Sequence, residues 1–456
     1  MTQTNSPSLF PDQEVGAESP PRAVPAPVGP PRLRRPERLQ GEMRNTPLDE
    51  LLPGNDPARV VWQFVESVDL TPLLQRIRAV EGHAGRDAID PRIPMALWLM
   101  ATIDGYGSAR ALEELCRHHL RYQWICGGVT VNYHSLSDFR TAHPEFLDSV
   151  LTESVASLLH QGLVDLTEVA QDGMRVRASA GASSFRREAS LQECLTKAKT
   201  QVEALKTQDN DNATTTSEKQ KQARERAARE RQERVEKAIA ERAKLLAERE
   251  EQKRTKGAKF KPEEVRGSTT DPEARRMKMP DGGTRPGLNM QFATETKGGV
   301  IVGVDVTNSG SDAGQMKPMV EQIEERYDQV PERMLVDGGF TTLDDIDKTQ
   351  TEHGTKTYGP IKNEKALVEK GEDPYQPKPK DTPAQQEWRE RMGTEQAKTI
   401  YRRRAQTAEW VNAGMRQRSL YQLTVRGLAK AKLIGLWHAI AHNLLRAVVL
   451  RQAKAG

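Results

Sequence analysis

Val300-Ile301-Val302-Gly303-Val304-Asp305-Val306-Thr307 alternates valine with other residues. One face of such a segment, if extended, is all valine, which is the two-residue period of a strand. Just upstream, Asn289-Met290-Gln291-Phe292-Ala293-Thr294 reads as a partner strand, and Lys297-Gly298-Gly299 as the hairpin turn between them. Downstream the pattern predicts a helix over 312–327, a strand over 333–337, a helix over 343–347 and a strand over 356–361. A further extended run, Thr167 to Gln171, lies well upstream. These signals predict a mixed five-stranded sheet flanked by helices, an α/β domain over residues 166–428.

A long interruption, residues 186–265, separates the first strand from the rest. Leu191, Leu195, Ala198, Val202 and Leu205 recur at steps of four and three. A polar break follows over 208–216, then a run from Ser217 to Arg254 dense in Arg, Glu, Lys and Ala, with Val235, Ile239 and Leu246 on one side. This predicts an inserted helical hairpin or antiparallel coiled coil. Its alternating charges favour intrahelical pairs on a solvated face.

Residues 1–45 form a Pro/Arg-rich tail, expected to be disordered, in which Arg32, Arg34 and Arg35 close a proline-dense stretch. Such a tail is a solvated linker or a basic arm for phosphates. Residues 46–165 are expected to form an all-α domain. Pro94 to Ile103 is strongly apolar, Gly105 and Gly107 interrupt it, and Ser108 caps the next helix. Helices over 135–140 and 144–159 complete a set that suits a helix-turn-helix module or any small bundle. Residues 429–456 read as a C-terminal helix, in which His438 and His442 sit one turn apart as packing residues rather than a ligand pair.

Composition sets bounds. The chain has 456 residues, enough for two or three domains, with a mean hydropathy of −0.72. Lys plus Arg is 68 and Asp plus Glu 64, so net charge alone names no nucleic-acid partner and the clustering of arginines has to carry that inference. No apolar run approaches the roughly 20 residues that cross a bilayer, and no signal-peptide segment precedes the fold. Three cysteines, Cys116, Cys126 and Cys194, show no zinc spacing, which suits a reduced cytoplasmic setting. There is no HExxH motif, no phosphate-binding GxxxxGK[ST] loop and no GxSxG elbow.

Three acids stand out: Asp172 and Asp337, each at an expected strand end and followed by glycine, and Glu409 in a helical stretch, Tyr401 to Trp410. Converged, such acids hold a pair of divalent cations roughly 3.5–4 Å apart that clamp the oxygens of a phosphodiester. Taken singly, each has a plainer reading: Asp-Gly is a common turn pair, and Glu409 an ordinary helical glutamate. Basic neighbours add weight. Arg175 and Arg177 share a strand face, Arg402, Arg403 and Arg404 precede Glu409, and Arg416 follows it by seven, on the same helix face. Guanidinium groups in that company grip phosphates, or pair with nearby acids on the surface.

From these residues the chain resembles the DDE-type transposases of bacterial insertion sequences. The resemblance runs from about residue 60 to 450. It is carried by Gly107 to Glu113, Trp124 with Gly127-Gly128, Ser135 to Arg140, Asp172 to Ala180, Asp271-Pro272-Glu273-Ala274, Asn289-Met290-Gln291 and Asp337-Gly338-Gly339-Phe340. The most specific part is Tyr401, Arg404 and Glu409, with Val425 to Leu428 and Ala441 to Leu444 following at family-like distances. Departures are Met174 for the usual threonine, and Asn412, Ala413 and Arg416 where the family has phenylalanine-glycine and a lysine.

The resemblance implies an RNase H-like catalytic fold and two Mg²⁺ (or Mn²⁺) ions per active site, with Asp172, Asp337 and Glu409 as metal ligands. It implies DNA contacts from Tyr401, Arg404, Arg416 and Arg426 beside those of Arg175 and Arg177. The expected reaction is hydrolysis at the element's ends, then attack of the freed 3′-hydroxyl on target DNA. Expected partners are double-stranded DNA, as terminal inverted repeats bound by the helical domain and as target, and a second copy of the chain on that DNA. No membrane is expected; the setting is cytoplasmic, at the nucleoid. Two other readings stand: a decayed, transposase-like DNA-binding protein, and a scaffold built on the hairpin at 186–265.

Overall fold

The computed structural model describes residues 45–79, 87–207, 218–257 and 260–455. The expected tail thus lies, apart from Asn45, outside the described residues, as does the polar break at 208–216.

Eight helices come first: α1 (Leu48–Leu51), α2 (Pro57–Ser67), α3 (Thr71–Leu74), α4 (Arg92–Ile103), α5 (Ala109–His118), α6 (Leu120–Cys126), α7 (Tyr133–Ala142) and α8 (Pro144–His160). The expected cap at Ser108 holds, its hydroxyl oxygen accepting the Ala111 amide; Asn132, which the sequence reading did not single out, caps α7 in the same way by accepting from Ser135. Helix α4 is buried on every side, which is why its sequence shows almost no polar face. Arg140 is buried, its guanidinium over the Trp98 ring at 4.3 Å and bonded to the Gly107 carbonyl and Thr424. The Gly107 and Arg140 motif residues therefore join the helical region to the far end of the chain.

The sheet holds β1 (Glu168–Arg177), β4 (Arg275–Lys278), β5 (Thr284–Glu295), β6 (Ile301–Thr307), β7 (Arg333–Leu335) and β8 (Lys356–Tyr358); β2 (Phe185–Arg186) and β3 (Gly267–Ser268) pair separately. Its order is β4-β5-β1-β7-β8, with β6 also on β5. Strand β5 runs antiparallel to β1, β4 and β6, whereas β7 and β8 are parallel to their neighbours. Six strands replace the expected five. The short β4, with only one buried side chain, offers no alternating apolar signal. Because β4 pairs with Thr284 to Gly287 and β6 with Asn289 to Thr294, the two lie end to end on one edge of β5.

Between β1 and β4 the chain forms α9 (Glu188–Thr207) and α10 (Glu218–Lys256). Arg242 bonds Glu188 and Arg231 bonds Gln201, so the helices run antiparallel, as expected of a hairpin. Leu191, Ala198, Val235 and Ala238 are buried along it. Gly267 lets α10 sit against β3: a Cβ there would lie 2.6 Å from the Ala238 carbonyl oxygen.

Helices α11 (Met316–Tyr327), α12 (Leu343–His353), α13 (Glu364–Glu369), α14 (Pro383–Met392) and α15 (Glu395–Arg404) follow. A π-helical turn over Ala405–Glu409 leads into α16 (Trp410–Gln417), and α17 (Leu428–Ala455) closes the chain. Helix α11 begins four residues later than its pattern predicts, because the Asp345 carboxylate of α12 accepts from the amides of Met316 and Lys317.

By length and hydropathy α17 could cross a bilayer, which corrects the expectation that no apolar stretch approaches that length. Two thirds of that span is buried against the protein's own core, where α17 packs on β6, α8 and α4. His438 and His442 lie in that interface. One ring faces the carbonyls of Ile434 and Arg418, the other that of Gly299, so they pack rather than bind an ion.

Candidate acid site at the open edge of β1

Asp172 is the fifth of ten residues in β1, not its end as the sequence predicts. The long β5 pairs with β1 over residues 169–177 and carries the strand past Asp172. On the opposite edge β7 pairs only with Glu168, Val169 and Ala170, so that edge is open at Asp172. Asp337 lies two residues beyond the end of β7, in the same gap, its Oδ1 accepting the Gly339 amide at 2.7 Å. Glu409 closes the π turn, with a well-exposed side chain.

One guanidinium ties the three acids together. Arg404 Nη2 lies 3.2 Å from Asp172 Oδ1 and 3.9 Å from Asp337 Oδ2, and its Nη1 lies 3.4 Å from Glu409 Oε1. The π turn explains how Arg404 and Glu409 meet. In an α-helix a residue five places on points about 140° away; the wider π turn brings it back over the first. The same extra residue brings the buried Asn412 into line, and its Nδ2 donates to Asp172 Oδ2 at 2.9 Å.

A fourth carboxylate, not among the acids singled out from the sequence, stands alongside. Asp312 Oδ1 accepts from Asn289 Nδ2 at 2.7 Å and Gln291 Nε2 at 2.8 Å, both on β5. It lies so close to β1 that a Cβ on Gly173 would be 2.2 Å from it. The glycine after Asp172 thus makes room for Asp312 rather than a turn. In the sequence Asp312 reads as the first residue of a helix; an acid soon after a strand end was the available signal.

Burial pushes the Asp172 carboxyl up from the usual range; Arg404 opposes the shift, and the charges of Asp337 and Asp312 add to it. Burial also pushes the Tyr401 phenol up, again opposed by Arg404, and all three acids bear on it. The other basic residues sit further out. Arg175 donates to the Gly310 carbonyl, Arg177 pairs with Asp281, and Arg403 with the buried Glu168. Arg416 and Arg426 are exposed, with no hydrogen bond or ion pair to the three acids among the described residues.

The donors here are carboxylate oxygens, the hard ligands that Mg²⁺ and Mn²⁺ take, and a desolvated carboxyl beside further acids favours a cation. In donor chemistry the residues fit a divalent metal. Among the described residues, however, no three such groups stand close enough together to hold an ion as they are. Arg404 is the cation among them.

A family model described as a transposase DDE domain matches residues 253–444, and one described as a transposase domain matches residues 46–142. The first contains Asp337, Arg404 and Glu409; Asp172 and most of the hairpin lie outside both. No curated protein and no solved structure matches the chain significantly.

Proposed function

The chain belongs to the DDE-type transposases of insertion sequences, and from that premise we propose that it cuts and joins DNA at the acid site around Arg404. The observation that carries this reading is one guanidinium within 3.2–3.9 Å of carboxylates at positions 172, 337 and 409. Residues this far apart in sequence share no local reason to meet. The strand order, with β5 antiparallel in an otherwise parallel set β1, β7 and β8, agrees with an RNase H-like fold.

In this reading Asp172, Asp337 and Glu409 would hold two Mg²⁺ or Mn²⁺ ions. Held there, the ions would supply Lewis-acid activation of the attacking water or hydroxyl and neutralise charge at the phosphate. Asn412 orients the Asp172 carboxylate through Oδ2, while Oδ1 accepts the Gly173 amide and faces Arg404, so a metal ion would take the place that Arg404 holds. Arg404 neutralises the acids and, with DNA present, turns its fork to the scissile phosphate. Tyr401 positions the strand beside it, and Arg175, Arg177, Arg416 and Arg426 take flanking phosphates. Residues 46–165 recognise the terminal inverted repeats, with two copies of the chain assembled on DNA at the nucleoid.

The test is strand cleavage of duplexes carrying the element's own ends, with Mg²⁺. Asp172→Asn, Asp337→Asn and Glu409→Gln are each expected to lower the rate by about three orders of magnitude or more, as for groups that act as a unit. Undiminished cutting by any one removes that residue from the site. The arrangement of Arg404 also suits a second reading, a decayed transposase that only binds DNA: its guanidinium takes up the space among the acids. Tight binding with a steep salt slope, and no Mg²⁺-dependent cutting by the parent chain, would favour it.

A further inference from the structure

A cavity of about 770 Å³ opens between the hairpin and the outer edge of the sheet. Its walls are the later part of α10, the stretch 264–266, strand β4 and the loop Thr307–Ser311. Arg249, Arg266, Arg275 and Arg276 line it against Glu248 and Glu264, so cations outnumber anions. Arg275 is committed to Glu241 at 2.9 Å. The side chains of Arg249, Arg266 and Arg276 make no hydrogen bond or ion pair among the described residues, and the last two residues are exposed.

The fold aims these side chains. Arg242 of α10 is anchored to the Val265 carbonyl at 2.9 Å. Arg249 lies seven residues on, two turns along the same helix face, and so points at the cavity rather than at bulk solvent. Arg276 stands on β4 where that strand continues the edge left by β6. The loop Thr307–Ser311 that walls the cavity runs directly into Asp312, and Arg175 of β1 grips its Gly310 carbonyl at 2.9 Å. One loop therefore separates the acid site from the arginine-lined cavity.

We propose that this cavity is a second DNA-backbone site, which takes phosphates of the duplex that continues past the acid site and makes the hairpin a clamp on it. Unpaired guanidiniums facing an open cavity are what phosphate binding needs, and they are not consumed by the fold. The proposal rests on the proposed function for its ligand, DNA.

The experiment uses the full chain with Arg249, Arg266 and Arg276 all changed to alanine, and a second variant with all three changed to lysine. Binding is measured against salt on a random-sequence duplex and on one bearing the element's terminal sequence. Each lost phosphate contact lowers the slope of log affinity against log salt by about 0.9, so the alanine variant is expected to lose about 2 to 3 from it and the lysine variant little. A loss on both duplexes supports the clamp as a general backbone track, as for flanking or target DNA; a loss confined to the terminal duplex supports it as a contact to the element's end. An unchanged slope on both overturns it. Circular dichroism and melting should stay at parent values. A melting loss in the alanine variant moves the comparison to single variants, where an unchanged slope for all three overturns the proposal. Asp172→Asn should keep the full slope while losing cleavage, so failure of the clamp and failure of the catalytic reading are told apart.

Discussion

Arg404 is the residue on which the site turns, and its three ion pairs are unequal. Glu409 is 63% exposed and Asp337 40%, so solvent screens both. Asp172, at 17%, is the partner that depends on it. Arg404→Ala strands a mostly buried carboxylate and should cost about 3 kcal/mol in urea unfolding. Arg404→Lys should recover only part, since an ammonium lacks the fork. An alanine variant as stable as the parent would mean that Asp172 is compensated from elsewhere. Gly173→Ala places a methyl 2.2 Å from Asp312 Oδ1 and 2.6 Å from Gln291 Nε2. A loss of about 1 to 3 kcal/mol is expected from such overpacking, and Asp312→Ala in the same chain should relieve part of it. Full additivity of the two would disprove the contact. Neither glycine nor arginine reveals this in sequence, where Asp-Gly reads as a turn and Arg404 as an expected DNA contact rather than the partner of Asp172.

Among the elements, α17 shows how distant segments define one another. Its first amides are capped by two acids from the stretch before β4: Gly427 N donates to Asp271 and Leu428 N to Glu273 at 2.9 Å. Glu273 also pairs with Lys237 of α10 at 3.3 Å, which ties the hairpin to the start of the last helix. Gly427 adopts φ +85°, and a Cβ there would lie 2.7 Å from Glu273 Oε2. Gly427→Ala should therefore cost about 2 kcal/mol through backbone strain and a displaced cap, read as a drop in melting temperature. An unchanged melting temperature would show that the turn relaxes without cost. The Asp271 to Ala274 and Val425 to Leu428 motifs were legible as family marks; that each completes the other was not, because capping pairs partners about 155 residues apart. The π turn is similarly hidden. A one-residue shift of phase leaves composition and periodicity almost unchanged, yet it decides that Glu409 and Asn412 face the acids.

At the scale of the whole molecule, α17 is the joint between the helical region and the sheet, and its buried histidines make that joint sensitive to acid. Burial pushes His438 and His442 each down to about 4. In the unfolded chain both titrate near the ordinary value of about 6.5. Below that pH the unfolded state takes up protons that the folded state refuses. Stability is therefore complete above about pH 6.5 and falls as pH drops toward 4, at about 1 kcal/mol per histidine per pH unit. Melting temperature against pH should show this fall, and His438→Gln with His442→Gln should flatten it. A parent profile level across that range would mean that the rings are solvated when folded.

The sequence by itself determined the α/β pattern, the inserted hairpin and the early helices, because strand and helix periods, caps and turn residues act over a few neighbours. Tertiary structure alone decided that β1 runs on past Asp172, that a sixth strand joins the edge, that α17 is a core helix, and that Asp312 and Asn412 stand beside the acids. Each depends on which partner a segment finds across the fold: where β7 stops pairing, what covers α17, which amides hold Asp312. Such choices come from packing and desolvation among residues far apart in the chain, and no local pattern records them.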